Sequence, residues 1–293
     1  RPLDDVSRLP VIQRGAARWV PARLSDLPGW GQDSLHEVWT AWVRGCERPA
    51  PEQATLCAEV RPLTLGTSAA QQAWIESRLQ PYRVLAASGT EPQGLLTGYY
   101  EPVLDASRLP TASHRVPVYA PPLGVNPSME QPWYSRQDID TLPAAKAALR
   151  NRVIAWLADP IDALVLQIQG SGRLNLREAD GSVRMVRVAY AGHNGHPYQS
   201  VGRWLLDQKA IREANWEGIR AWVAQNPDRL NEMLWSNPRT VFFREVRLSE
   251  LDARFGPNGA QGVALPPRRP LAVAPQAVPY GTPVWIATRG AVL

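Results

Sequence analysis

"QIQGSGRL", residues 167–174, closes the run "DALVLQIQ" and decides how the middle of the chain is read. Residues 163–169 are short, aliphatic and stopped by Gly170, a pattern that predicts a strand. Strand side chains alternate, so Leu164, Leu166 and Ile168 would pack while Val165, Gln167 and Gln169 share the opposite face. A glutamine amide both donates and accepts hydrogen bonds, which matches the hydroxyl and acetamido groups of a sugar. Gly170 and Gly172 then bare the backbone on either side of Ser171, where a ligand could lie against it. A polar face in water with an ordinary turn would use the same residues.

Around this stretch lie other short β-rich runs bounded by Pro, Gly, Asn and Asp: "LLTGYYEPV" (95–103), "VPVYAPP" (116–122) and "VRMVRVAY" (183–190). In "READGSVRMV" (177–186) the pair Asp180-Gly181 predicts a hairpin with a type I′ turn, which needs positive φ at both central residues. "PAAKAALRNRVIAWL" (143–157) reads as a helix of about 14 residues.

The flanks are helical. Leu35, Val38, Trp39, Trp42, Val43 and Cys46 form an i, i+3, i+4, i+7 series behind a Ser34-x-x-Glu37 capping box. A second helix is expected from Ser68 to Gln80, where Pro81 stops it. Beyond Tyr198, "SVGRWLLDQ" (200–208) and "NWEGIRAWVAQ" (215–225) are helical, with Trp216, Ile219 and Val223 on one face. "TVFFREV" (240–246) and "TPVWIAT" (282–288) return to strand. The order helix, β, helix, β predicts one β domain inserted into another. Internal repeats and low-complexity tracts are absent from the sequence.

Composition sets the bounds. At 293 residues the chain exceeds one ordinary core, and 44% hydrophobic with 20% charged residues is globular composition. No run approaches the roughly 20 apolar residues that span a bilayer. The first residue, Arg1, has no basic-then-apolar leader behind it, so the chain is read as mature or trimmed, its export signal or anchor already removed. The 32 Lys+Arg against 27 Asp+Glu leave +5, scattered as single arginines, which gives nucleic-acid binding little support. Cys46 and Cys57 flank a loop containing Pro49 and Pro51; one disulfide, outside the cytoplasm, or a pair of buried thiols both fit.

Other candidate chemistry is thin. In "TGYYEP" (97–102) Gly98 permits close approach, and two adjacent tyrosines in a strand would put one ring in the core and offer the other outside. Glu101 is a carboxylate able to do acid–base work, although an exposed loop glutamate is the commoner case. "YAGHNGHPY" (190–198) sets His193 and His196 around a tight Asn194-Gly195 turn, without the HExxH pattern of a zinc site. Ser171 has glycines at −1 and +1, not at the positions a nucleophile elbow needs, and neither a P-loop nor a GxGxxG is present. No cofactor is expected. Of the 12 tryptophans most sit at core spacing on helices, while Trp133 and Tyr134 in "EQPWYSR" are better surface candidates.

Taken together, "GLLTGYYEPVLDASR", "YSRQDID", "LQIQGSGRL", "VRVAYAGHNGHPYQSVGRWL", "NPRTVFF" and "AVPYGTPVWIAT" resemble, in order, the membrane-bound lytic transglycosylases of the A type, from about Asp26 to Leu293. The resemblance implies an α+β, mainly β chain: a double-ψ β-barrel domain, discontinuous in sequence (1–103 plus 240–293), with a second β domain and flanking helices inserted (104–239). It implies a lipoprotein on the periplasmic face of the outer membrane that cleaves the MurNAc–GlcNAc β-1,4 bond of peptidoglycan, the glycan lying between the domains. Gln167 or Gln169, with Gly170, Ser171 and Gly172, would line that groove, and Thr97, Gly98, Tyr99, Tyr100 and Asn194 its other walls. One carboxylic acid, its pKa raised by burial, would protonate the leaving oxygen and then, as base, free the C6 hydroxyl to attack C1, giving 1,6-anhydroMurNAc. In the family that acid is an Asp in a D-x-G-G segment after the strand matching "GTPVWIAT"; no such segment occurs in these residues, so the catalytic residue is expected beyond Leu293. Two alternatives stand beside the enzyme: a noncatalytic peptidoglycan-binding protein, and a hydrolase using water, which needs a second placed carboxylate.

Overall fold

A computed structural model describes residues 5–89, 96–124, 131–249 and 252–288. The chain divides into two units, Arg1–Gly98 with Glu250–Leu293, and Tyr99–Ser249.

In the first unit β1 (Ile12–Arg14), β2 (Ala17–Pro21) and β3 (Tyr82–Ala86) form an antiparallel sheet in that order. Between β2 and β3 run α1 (Leu35–Gly45), α2 (Ala54–Val60) and α3 (Ser68–Arg78). The apolar stripe read on α1 buries Leu35 and Trp39 against Val60 and Ile75. Trp39, Trp42 and Trp74 meet at ring-centroid distances of 5.4 to 5.9 Å, and the Trp39 indole donates to the Val60 carbonyl at 2.9 Å. Cys46 and Cys57 are joined, which resolves the two readings of the thiols in favour of the disulfide.

Two expectations fail here. Ser34 is the N-cap of α1 but its hydroxyl caps nothing, because Glu37, the other half of the box, pairs with Arg269 instead. Residues 282–288 are not a strand among the described residues. A β-rich run needs a partner ladder, and this one is held by Trp285, which meets Trp30 at 5.1 Å and donates to the Pro28 carbonyl.

In the second unit come β4 (Val103–Ser107), β5 (Val116–Tyr119), α4 (Arg136–Thr141), α5 (Pro143–Leu149), β6 (Val153–Leu157), α6 (Pro160–Gln169), β7 (Ser171–Arg177), β8 (Val183–His193), α7 (Val201–Asp207), α8 (Trp216–Gln225), α9 (Leu230–Trp235) and β9 (Val241–Arg247). The six strands form one sheet, β5-β6-β4-β7-β8-β9, antiparallel except where β4 pairs parallel with β7. Its edge strands β5 and β9 come back toward each other, so the sheet is nearly a closed barrel. Because β9 pairs with β8, residues 240–249 belong with this unit. Leu174, Leu176, Val186, Val188, Val241 and Phe243 alternate inward as strand geometry requires, and α6 adds Ala163 and Leu166 to the same core. One end of the barrel is tied by ions: Arg108 bonds Glu178 and Glu245, and Arg184 bonds both again. Leu164 on α6 and the apolar faces of α7, α8 and α9 make a second cluster that includes Trp216, Ile219 and Val223. No helix among the described residues is long and apolar enough to cross a membrane.

The decisive stretch reads differently from expectation. Residues 160–169 are a helix: Asp159 caps it, its carboxylate accepting from the Ile161 amide at 2.7 Å, Pro160 opens it, and Gly170 closes it at φ +76. Its buried residues, Ile161 and Ala163 to Leu166, run almost without interruption, and by pattern alone so short an apolar run is indistinguishable from a buried strand. The error recurs in reverse at 143–157, where α5 ends at Leu149 and "VIAWL" is β6. The hairpin between β7 and β8 is present, but only Gly181 has positive φ. Glu178 and Ser182 pair across a three-residue loop, and Asp180 accepts from the Ser182 amide.

Candidate functional site

Gln167 and Gln169 sit two residues apart on α6, so their side chains leave it about 200° apart rather than on one face. Gln167 turns inward: its Oε1 accepts from Arg136 at 2.9 Å and from the Val241 amide at 3.1 Å, tying α6 to α4 and β9. Arg136 is itself buried and donates to the carbonyls of Asn237 and Arg239; burial pulls its guanidinium down to about 10. Gln169 turns the other way, its Oε1 accepting from the Tyr100 amide at 3.3 Å.

The two glycines have packing explanations. Gly170 supplies the left-handed helix stop, and a Cβ at Gly172 would stand 2.4 Å from Leu166 Cδ1 and 3.3 Å from the Pro102 carbonyl. The bareness of this backbone therefore serves the meeting of α6, β7 and the chain before β4. Ser171 is buried as the first residue of β7, opposite Ala189.

Asn194 is fully buried at 0% exposure. Its Nδ2 donates to the carbonyls of Tyr134 and Pro238 at 2.9 and 2.8 Å, and its Oδ1 accepts from the Thr240 amide at 2.9 Å. The neighbouring histidines are also in use: His193 Nδ1 accepts from the Gly195 amide, and His196 Nε2 donates to the Trp133 carbonyl. Burial, then the charge of Arg239, pulls His193 below the usual imidazole range. Trp133, expected at the surface, packs between Tyr134 and Phe242. Among the described residues no group of three or more His, Cys, Asp or Glu could hold a metal ion.

Thr97, Gly98, Tyr99 and Tyr100 are exposed and lie outside any strand, so neither tyrosine enters the core; the two rings' residues are 76% and 55% exposed. The Tyr100 amide bonds Gln169, and Tyr190, 46% exposed, follows Ala189, the β8 partner of Ser171. Tyr99 and Tyr100 on the chain before β4, Gln169 at the end of α6 and Tyr190 on β8 are the candidate ligand-facing groups of this unit. Tyr190 was missed from sequence. A register irregularity in the β8–β9 pairing between Tyr190 and Gly192 re-aims it, and such a bulge has no short-range signature in "VAYAGH".

Glu101 is not an exposed loop glutamate. Arg173 and Arg187 stand opposite each other across β7 and β8, a like-charge pair that costs stability unless something neutralises it. Glu101 does so: Arg187 Nε reaches its Oε1 at 2.5 Å and Arg173 Nε its Oε2 at 2.8 Å. Both carboxylate oxygens accept from guanidinium, so each is already engaged by a charged donor. Asp140 on α4 has its carboxyl raised above the ordinary aspartate range by burial, and it accepts from the Trp235 indole at 2.8 Å. The residue as a whole is exposed, so water screens that effect and Asp140 is not assigned as an acid.

The MltA specific insert domain matches residues 95–244. The chain is 28% identical over 191 residues, 64% of its length and 47% of the other's, to membrane-bound lytic murein transglycosylase A of Escherichia coli K12. It therefore spans about half the length of the curated relatives it matches. Among solved structures, the lytic transglycosylase LtgG of Burkholderia pseudomallei is 36% identical with a TM-score of 0.62, covering 94% of this chain and 79% of that one. Escherichia coli MltA with bound chitohexaose, 21% identical, shares the fold with a TM-score of 0.64, covering 96% of this chain and 77% of that one. The fold class is the one these structures carry: α+β, with a discontinuous double-ψ β-barrel domain and an inserted β domain.

Proposed function

The chain belongs to the MltA family of lytic murein transglycosylases, and from that premise we propose that it binds a glycan strand of peptidoglycan for cleavage at the MurNAc–GlcNAc β-1,4 bond. The observation that carries this reading is that the family match over 95–244 contains the exposed rings of Tyr99, Tyr100 and Tyr190 and the half-buried amide of Gln169, which bonds Tyr100. Aromatic rings pack on the C–H faces of sugars, and the Gln169 amide can exchange hydrogen bonds with their acetamido groups. The chitohexaose held by Escherichia coli MltA, a polymer of the same N-acetylated sugar type, supports glycan as the ligand class.

The chemistry proposed is the single-acid route: protonation of the leaving oxygen, then attack of the C6 hydroxyl on C1, with no water consumed. A held hydroxyl can reach an effective molarity of about 10⁵ M or more, which makes the intramolecular acceptor competitive. No carboxylate described above is assigned as the acid, and no D-x-G-G segment occurs in these 293 residues. We infer that these residues by themselves hold the strand without cutting it, and that the acid is an Asp of the whole protein. The disulfide fits the proposed location, a lipoprotein at the periplasmic face of the outer membrane, because thiols stay reduced in the cytosol.

The test is paired. Chitohexaose should bind this chain in calorimetry, and the complete gene product on purified sacculi should release anhydro-ended fragments, lighter by one water than reducing ends. Products carrying reducing ends would refute transglycosylation. No release from the complete product would favour the binder, and muralytic activity from these 293 residues alone would return Glu101 or Asp140 to consideration.

A further inference from the structure

β8 and β9 pair residue for residue from Val186 opposite Arg247 to Tyr190 opposite Phe243, and then the register jumps, so that Gly192 rather than Ala191 stands opposite Phe242. Ala191 is the extra residue of a β-bulge, and Gly192 beside it takes φ +143, a conformation open to glycine and strained for other residues. A bulge leaves ladder groups without their cross-strand partner. Arg244 of β9 supplies a donor at this one: it stands opposite Ala189, and its Nη1 reaches one position along β8 to the Tyr190 carbonyl at 2.8 Å. Among the described residues Arg244 bonds no acid, so its guanidinium is committed to that carbonyl. The Tyr190 ring, 46% exposed, lies 6.5 Å from the His193 imidazole, which is itself fixed by accepting from the Gly195 amide.

The direction in which a side chain leaves its Cα follows the local backbone, and a bulge is where ladder bonds determine that backbone least. The carbonyl of Tyr190 belongs to the planar 190–191 peptide, so holding it fixes ψ of Tyr190. We infer that Arg244 is a positioning residue: it locks the bulge so that the Tyr190 ring is ordered before a glycan strand arrives, and it touches no sugar itself. The inference rests on the glycan reading above. A ring already ordered loses less freedom on binding, so the lock is felt in affinity more than in stability. Chitohexaose is uncharged, and as a probe it reads the position of the ring and not the charge of Arg244.

The experiment uses this chain labelled with 3-fluorotyrosine, the Tyr190 resonance being assigned by Tyr190→Phe. In Arg244→Met, which keeps the length of the side chain and removes its donors, the Tyr190 resonance should move or broaden, and chitohexaose should bind about threefold more weakly in isothermal titration. Tm should fall by no more than about 6 °C, so the titration reads folded protein. If Arg244→Met does not fold, Arg244→Gln, whose amide falls short of the carbonyl, takes its place with the same expectations. Arg244→Lys, which keeps a donor of similar reach, should bind within about 1.5-fold of wild type. Tyr190→Ala should weaken binding about fivefold, and adding Arg244→Met to it should change binding by less than about 1.5-fold. Full additivity of the two losses would make Arg244 an independent contact and overturn the inference. An unmoved Tyr190 resonance in Arg244→Met, or Arg244→Lys as weak as Arg244→Met, would do the same. Chitohexaose binding that ignores Tyr190→Ala sinks this inference and leaves the glycan reading; a wild-type chain that does not bind chitohexaose sinks both.

Discussion

Asn194→Ala separates a scaffold role from a ligand-contact role. Its amide satisfies the carbonyls of Tyr134 and Pro238 and the amide of Thr240, three backbone groups in a fully buried place. Truncation leaves all three without that partner. At roughly 1–1.5 kcal/mol for each, the cost is about 4 kcal/mol. For a chain of this size 1 kcal/mol shifts Tm by about 2–4 °C, so the expected drop is about 8–16 °C. Calorimetric unfolding reads the drop, and isothermal titration with chitohexaose, well below the lowered Tm, reads binding. Affinity should stay within about twofold of wild type, because no atom of Asn194 reaches the surface. Tyr100→Ala should do the reverse, leaving Tm nearly unchanged and weakening chitohexaose about fivefold, the equivalent of roughly 1 kcal/mol of ring contact. An Asn194→Ala protein that melts like wild type, or that is folded and has lost the glycan, would refute the reasoning.

Three further outcomes are expected. Gly172→Ala should cost roughly 1–3 kcal/mol, since its Cβ would meet Leu166 at 2.4 Å, and denaturant titration of Gly172→Ala/Leu166→Ala should show less than the sum of the two single losses. Cys46→Ala/Cys57→Ala should lower stability by about 3 kcal/mol, the chain-entropy value for a loop closed at a separation of 11, and reduction of the wild type should match it in thermal melts. Arg108 and then Arg184 hold Glu178 down to about 2, so its stabilisation is complete above the ordinary glutamate value and is lost as pH falls from about 4.5 toward 2. Glu178→Gln should therefore lower Tm near neutral pH and flatten the acid limb of a Tm-against-pH curve.

The sequence disclosed those elements whose local signal had one physical cause. The stripe on α1, the stop of α3 before Pro81, the turn between β7 and β8 and the β-rich run of β9 all leave periodic, compositional or punctuating residues that tertiary context merely accepts. It misled at α6, where the nearly continuous apolar run 163–166 hides the helical period and only Asp159-Pro160 and Gly170 marked the ends. The site suffered from a chemical ambiguity of the same kind. An amide that could bind an acetamido group can equally bind a peptide group, and Gln167 and Asn194 do the latter. Gln167 and Gln169 are half-buried alike and each accepts from a backbone amide, Val241 and Tyr100 respectively; what separates them is the side of α6 they leave, which cannot be read while the run is taken for a strand. Tyr190 and the Glu101 clasp depend on strand pairing between residues far apart in the chain, so neither could be found before the sheet was known.

The parallel pairing of β4 with β7 has a kinetic consequence. The hairpin of β7 and β8 closes across three residues and can assemble on a microsecond scale, whereas β4 waits for partners such as Asn175, 70 positions from Asp105. During synthesis β4 emerges well before the strand it must join, and its exposed Val103 edge stays open until α6 and the hairpin are in place. Slow closure of that seam, rather than formation of any helix, is where a chaperone or an aggregating neighbour would have its opportunity.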